Sequence, residues 1–209
     1  MSARQTPILT LILYLFIYLL PATLNHWWQL GAQTYLVTTI DYIIGAGLLY
    51  AIYRRDAPLT FEKKAFGWTQ AFGWIVLGAL AAFVGQMVAR MIEIVIFHSV
   101  TSSANTNLIL TVIKSQPYFL IASIIAAPIM EELVFRRILF GYLQRFTGVV
   151  GAALIASVLF AAAHADGHLL TYTAISLVFC YIYHRTGQIA VSMGSHMLMN
   201  AVVILVALH

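Results

Sequence analysis

Long apolar stretches alternate with short polar ones along nearly the whole chain. Seven of the apolar stretches approach the roughly 20 residues that an α-helix needs to cross the hydrocarbon core of a bilayer. Because backbone groups in hydrocarbon must be hydrogen-bonded within their own segment, each stretch is predicted to be a helix. A shorter apolar piece at 108–113, after a polar loop at 98–107, is predicted to be an interfacial or half-helix. The predicted spans cover approximately residues 7–24, 35–53, 72–97, 117–145, 149–163, 169–183 and 189–208.

The composition is that of a membrane protein rather than of a soluble domain. Of the 209 residues, 62% are hydrophobic and only 9% are charged, whereas a soluble domain is closer to half apolar. The predicted fold class is therefore all-α, a polytopic membrane helical bundle with about seven transmembrane spans and room for one half-helix. Because the sequence shows no repeat and no linker, residues 1–209 are interpreted as a single integral membrane domain.

The basic residues indicate how the chain is oriented. Most loop Lys and Arg residues fall on one side of the predicted bundle, as the positive-inside rule describes, with Lys114 as the main exception. The rule places the N-terminus in the cytoplasm and the C-terminal His209 outside. Because Lys and Arg accumulate in cytoplasmic loops of membrane proteins, the net charge of +4 is not interpreted as a sign of nucleic-acid binding. Cys180 is the single cysteine, which excludes an intrachain disulfide and a cysteine-based metal cage. The inner residues are Arg4, Arg54, Arg55, Lys63, Lys64, Arg145 and Arg185.

The fourth predicted span carries an unusual concentration of charge. Glu131, Glu132, Arg136 and Arg137 lie within an otherwise apolar run. Each ionised side chain in hydrocarbon costs at least about 2.5–3.5 kcal/mol, so such residues usually face a bundle interior or a wet cavity and indicate a functional site. The alternative is an interhelical salt-bridge cluster without chemistry. Residues four apart share a helix face, so Glu132 and Arg136 are predicted to form an ion pair, with Glu131 rotated by about 100° from Glu132.

Two further polar pairs interrupt later spans: Phe160 with His164, and His196 with Asn200. With a helical rise of 1.5 Å per residue, Glu131, His164 and His196 lie about 21, 20 and 17 Å from the inner ends of their spans, and so in one layer. This predicts a water held between a carboxylate and an imidazole, with Glu131 as general base. Asn200, together with His196, would donate hydrogen bonds to a developing oxyanion.

The three motifs EExxxR at 131–136, FxxxH at 160–164 and HxxxN at 196–200, in this order, resemble those of the CPBP (Abi) family. This family contains CAAX-type prenyl proteases and bacteriocin-processing enzymes, and the Arg185-Thr186-Gly187 sequence also resembles its pattern. The resemblance covers roughly residues 115–200, and assigns 115–209 as a catalytic core and 1–113 as spans of unassigned role. It implies a glutamate-dependent intramembrane endopeptidase. The implied roles are water activation for Glu131 and His164, oxyanion stabilisation for His196 and Asn200, and organisation of the site for Glu132 and Arg136.

Two other functions stay open at this point. In the first, His164, Asp166 and His168 hold Zn²⁺ together with Glu131, which would give a metal-dependent version of the same hydrolase. In the second, the chain is a non-enzymatic bacteriocin-immunity or scaffold protein. The metal-independent endopeptidase, which the motifs favour, predicts no cofactor and no nucleic acid. Its predicted partners are a lipid bilayer and a membrane-associated peptide or protein substrate, and its predicted location is a bacterial cell membrane. Substrate identity and oligomeric state stay open.

Overall fold

A computed structural model describes residues 5–62, 67–99 and 103–208, and in these residues all regular structure is helical. The predicted all-α membrane bundle is therefore confirmed. Arg4, Lys63, Lys64 and His209, which contributed to the predicted orientation, lie outside the described residues. The described helices are α1 (Gln5–Trp28), α2 (Gln33–Arg55), α3 (Trp68–Phe97), α4 (Ala104–Ser115), α5 (Phe119–His164), α6 (Leu169–Thr186) and α7 (Ile189–Leu208).

Five of these helices, α1, α2, α3, α5 and α7, are long and apolar enough to cross a membrane. Helix α5 has 46 residues and covers two of the predicted spans. Its backbone leaves helical geometry at Gly148, where φ is +69° and ψ is 178°, a conformation that glycine adopts without steric cost. Phe135 contacts Phe160, with ring centroids 5.2 Å apart, so the halves of α5 lie side by side and the chain reverses near Gly148. The count of seven spans stays a prediction.

Helix α4 is longer than the half-helix predicted at 108–113, and the predicted loop at 98–107 is correspondingly shorter. The helix begins at Ala104 because Ser103 caps its N-terminus, with the Thr106 amide donating to the Ser103 hydroxyl oxygen at 3.0 Å. A serine cap satisfies an amide that has no partner within the helix. Apolar spacing alone therefore located this helix and missed its first turn.

Close helix contacts set the position of α7, which carries His196 and Asn200. A Cβ atom added at Gly78 of α3 would lie 2.4 Å from the Ser195 hydroxyl oxygen, and one added at Gly194 would lie 2.7 Å from Ile75. Small residues at such points let membrane helices approach closely. Helix α7 is therefore packed tightly against α3 at the level of His196.

Residues 56–62, which follow α2, lie against α5 through Arg137, which is only 1% exposed. The Arg137 guanidinium forms ion pairs with Asp56 at 3.1 Å and Glu62 at 3.2 Å, and it donates to the Ala57 carbonyl at 2.6 Å. The Tyr183 hydroxyl donates at 2.6 Å to Glu62 Oε1, the same oxygen that pairs with Arg137. These contacts hold residues 56–62 against α5 one residue beyond the Glu132–Arg136 pair.

Candidate active site

Glu132 is fully buried and has three partners. Its Oε1 lies 3.1 Å from Arg136 Nη1 and 2.9 Å from His196 Nδ1, and its Oε2 accepts from the Ser192 hydroxyl at 2.6 Å. The predicted ion pair between Glu132 and Arg136 is confirmed. These residues lie in a π-helical stretch of α5, Glu132–Phe140, preceded by another at Ala122–Ala126. Such stretches are rare in proteins and are found frequently at functional sites.

Glu131 points away from this buried pair, as its rotation on the helix predicts. Its side chain is 19% exposed and lines a cavity of about 570 Å³, with Oε2 at 3.7 Å from His196 Nε2. His164, His196 and Asn200 line the same cavity. The structure therefore brings the polar residues of all three motifs to one cavity, with Glu132 and Arg136 buried behind it.

Arg136 is fully buried between two aromatic rings. Its guanidinium carbon lies 4.4 Å from the centroid of Phe160 and 5.2 Å from that of Phe179. A cation that is removed from water is stabilised by the faces of aromatic rings in addition to its counter-ion. Phe160 also contacts His164, at 4.5 Å between centroids, so this ring supports both the arginine and the histidine.

His164 is the last residue of α5, and its ring orientation is fixed by a backbone contact. Its Nδ1 lies 2.8 Å from the Phe160 carbonyl oxygen. Because a carbonyl can only accept, Nδ1 carries the proton, and in the neutral ring Nε2 is left as an acceptor. The ring stacks on Tyr172, with centroids 4.0 Å apart and an interplanar angle of 27°. His164 can therefore accept a hydrogen bond from a water in the cavity.

His196 lies between the two glutamates. Its Nδ1 donates to Glu132, and its Nε2 faces Glu131, while its ring stacks on Phe179 with centroids 4.8 Å apart. In the neutral ring Nε2 can only accept, so His196 donates from both nitrogens only when it is doubly protonated.

Asn200 is held by the first π-helical stretch of α5. Its side-chain Nδ2 donates to the Ser123 carbonyl oxygen at 3.2 Å. An amide nitrogen carries two hydrogens, so the second N–H can donate to another group. Asn200 lies on the cavity wall, one helical turn beyond His196, and this N–H is available to an atom bound there.

The structure does not assemble the alternative set of metal ligands, His164, Asp166 and His168 with Glu131. His168 is 3% exposed and lies against Arg90 and Glu93, with its Nδ1 at 3.1 Å from Glu93 Oε2. Asp166 accepts hydrogen bonds from Ser103, Asn105 and Tyr172. In residues 5–62, 67–99 and 103–208, no three His, Cys, Asp or Glu side chains are grouped so that they could hold a metal ion.

Asp166 lies outside the helices, and its environment favours the charged carboxylate. Burial alone would raise the pKa of the Asp166 carboxyl. The hydrogen bonds from the Ser103 hydroxyl, the Asn105 amide and the Tyr172 hydroxyl outweigh burial and hold this pKa below its usual value. Asp166 therefore acts as a charged anchor in the loop between α5 and α6.

Some residues of the site were missed at the level of sequence. Ser192 lies four residues before His196, and this spacing was the available signal that both side chains reach Glu132 from one face of α7. Phe179 and Tyr172, both on α6, contact the site through their rings, and no motif spacing marks them. Ser123 contributes a backbone carbonyl, which has no signature in the sequence.

Comparison with known proteins agrees with the resemblance of the three motifs. Residues 113–202 match the family described as type II CAAX prenyl endopeptidase Rce1-like. YdiL of Bacillus subtilis (strain 168), which is assigned as a membrane peptidase, is 41% identical over 136 residues, or 65% of this chain and 56% of YdiL. The membrane-embedded CAAX protease MroQ of Staphylococcus aureus (strain USA300) is 30% identical over 139 residues, or 63% of this chain and 56% of MroQ.

The chain thus spans about half the length of the curated relatives it matches. No solved structure matches it. The predicted resemblance to CAAX-type proteases is confirmed, and residues 113–202 contain all seven residues that the three motifs specify.

Proposed function

We propose that this chain belongs to the CPBP family of CAAX-type membrane proteases and that it is an intramembrane endopeptidase in which Glu131 and His164 activate water. The substrate would be a membrane-associated protein or peptide. The proposal is supported by the match to peptidases embedded in membranes and by the apolar helices of the bundle. We place the enzyme in a bacterial cell membrane with its N-terminus in the cytoplasm, in agreement with the charge distribution of its loops.

The observation that carries the proposal is the different environment of the two adjacent glutamates. Glu132 is fully buried and occupied by Arg136, His196 and Ser192. Glu131 is exposed to the cavity, and its carboxylate is not part of that buried pair. A general base must reach the proton that it removes, directly or through one water, and Glu131 meets this condition at the cavity wall.

The chemistry follows from the donors and acceptors around the cavity. A water would donate one hydrogen bond to Glu131 and one to His164 Nε2. Glu131 takes a proton as the water oxygen forms a bond with the carbonyl carbon of the substrate, and the π electron pair of the carbonyl moves to its oxygen. Collapse of this intermediate breaks the C–N bond, and the protonated Glu131 returns its proton to the leaving amine. The products are a carboxylic acid, which keeps the second proton of the water, and an amine, with Glu131 again ionised, so atoms and protons balance.

The oxyanion would be stabilised from α7. Asn200 contributes an N–H that its contact with Ser123 leaves available, and doubly protonated His196 contributes Nε2–H. Removal of one such donor typically costs about 10²–10³ in kcat. Glu132 acts on this step through His196, since it fixes the Nδ1 proton and the ring orientation, and Arg136 in turn holds Glu132. Glu132 and Arg136 are therefore positioning residues.

The proposal is tested by comparing membranes that contain wild-type protein with membranes that contain Glu131→Gln. New N-termini that depend on the wild-type protein would identify the substrate and the cleaved bond. We expect Glu131→Gln to lower kcat by at least about 10², the low end for a positioned general base. The matched control is Asp41→Asn, the same chemical change at a half-buried carboxylate of α2, which should keep wild-type activity. The same new N-termini in both the wild type and Glu131→Gln would refute the assignment of the base.

A further inference from the structure

Tyr172 of α6 contacts the candidate active site through its ring. The ring stacks almost parallel on His164, with centroids 4.0 Å apart. His164 ends α5, and the next residue, Ala165, has left-handed backbone geometry with φ at +47°. The helix therefore does not continue past His164 to support the imidazole, and its ring is held between Tyr172 and Phe160.

The hydroxyl of the same tyrosine contacts a different part of the molecule. It donates to Asp166 Oδ2 at 2.9 Å. Asp166 in turn accepts from the Ser103 hydroxyl at 2.6 Å and from the Asn105 backbone amide at 3.1 Å. Ser103 is also the N-cap of α4. The negative charge of Asp166 thus lies at the positive N-terminal end of the α4 dipole, where it stabilises the helix.

Helix α4 forms one wall of the cavity. Its residues Asn105, Ile109 and Val112 line the same space as Glu131 and His164. The Asp166 loop is the connection by which the start of α4 is fastened to the active-site half of the bundle. Loss of the Tyr172 hydroxyl would therefore affect α4, which forms a wall of the cavity, and loss of the Tyr172 ring would affect the position of His164.

We infer that Tyr172 is a positioning residue that holds His164 by its ring and fastens the substrate-contacting helix α4 by its hydroxyl, through Asp166. This inference rests on the proposed function. The residue performs two separable tasks, one on the reacting water through His164 and one on substrate binding through α4. The two tasks belong to different atoms of the side chain, so substitutions can separate them.

The first test measures kcat and KM with a peptide that contains the identified cleavage site. Tyr172→Phe keeps the stacked ring and removes the hydroxyl, so KM should rise at least about threefold while kcat stays within about twofold of wild type. Tyr172→Leu removes the stacking as well, so kcat should also fall by about tenfold or more, since small displacements of a positioned group can cost up to about 10². Tyr181→Phe and Tyr181→Leu are matched controls, because Tyr181 lies on the same helix and is 60% exposed.

Hydrogen exchange of the α4 amides provides an arm that needs no activity. Tyr172→Phe and Asp166→Asn should both increase exchange across Ala104–Ser115, whereas Tyr181→Phe should not. Unchanged exchange in Tyr172→Phe, or equal kcat for Tyr172→Phe and Tyr172→Leu, would overturn the inference. If wild-type protein and Glu131→Gln are equally inactive, the proposed function fails. In that case the hydrogen-exchange measurement alone decides whether Tyr172 fastens α4. Failure of the inference can therefore be told apart from failure of the proposed function.

Discussion

Replacement of Glu132 by glutamine tests whether the structure assigns the two adjacent glutamates correctly. Glu132 Oε1 pairs with Arg136 and accepts a hydrogen bond from His196, and Oε2 accepts one from the Ser192 hydroxyl. A glutamine amide has one oxygen and one NH₂ group, so it cannot accept at both positions. Arg136, which is fully buried, would also lose its counter-ion. Breaking one side of a buried ion pair typically costs about 3–5 kcal/mol.

That loss is large enough to measure by thermal melting in detergent. For a chain of this size, 1 kcal/mol shifts Tm by about 2–4 °C, so Glu132→Gln should lower Tm by about 6–20 °C. Glu131→Gln is the matched control, since it makes the same chemical change one residue earlier on a carboxylate that faces the cavity. We expect this variant to melt close to wild type while losing activity.

A double substitution separates loss of charge balance from loss of shape. Glu132→Gln combined with Arg136→Met leaves no stranded charge, so much of the lost stability should return. Activity need not return, because His196 no longer has the carboxylate that fixes its Nδ1 proton. A Glu132→Gln variant that melts like wild type while Glu131→Gln unfolds would mean that the roles of the two carboxylates are exchanged.

Three other outcomes are expected. Activity should survive EDTA and o-phenanthroline, and restoration of a chelated, inactive enzyme by stoichiometric Zn²⁺ would contradict a water held by Glu131 and His164 alone. A cysteine at the exposed Ala104, in a Cys180→Ala background, should label from outside intact cells; labelling only after permeabilisation would contradict the proposed orientation. Asp166→Asn should lower Tm at pH 7, and its difference from wild type should shrink below about pH 4. The reason is that a carboxyl with a lowered folded-state pKa contributes stability above its unfolded pKa of about 3.9 and loses it as the pH falls through the lower folded value.

The sequence was sufficient for features that depend on local spacing. Apolar length predicted the helices, because unpaired backbone groups cannot lie in hydrocarbon. The four-residue spacing of Glu132 and Arg136 predicted their ion pair, and the structure contains it at 3.1 Å. The constant rise of a helix predicted that Glu131, His164 and His196 share one layer, and all three line one cavity.

Other features depend on which surfaces of distant segments meet, and the tertiary structure alone decided them. The pairing of His168 with Glu93 joins residues 75 positions apart, and this contact removes His168 from the alternative metal set. Ser103 and Asp166 are 63 positions apart, and their hydrogen bond fastens α4 beside the active site. Spacing along one helix fixes the direction of a side chain but not the partner that it meets. That partner is determined by how helices pack, which for α7 depends on the absence of a side chain at Gly78.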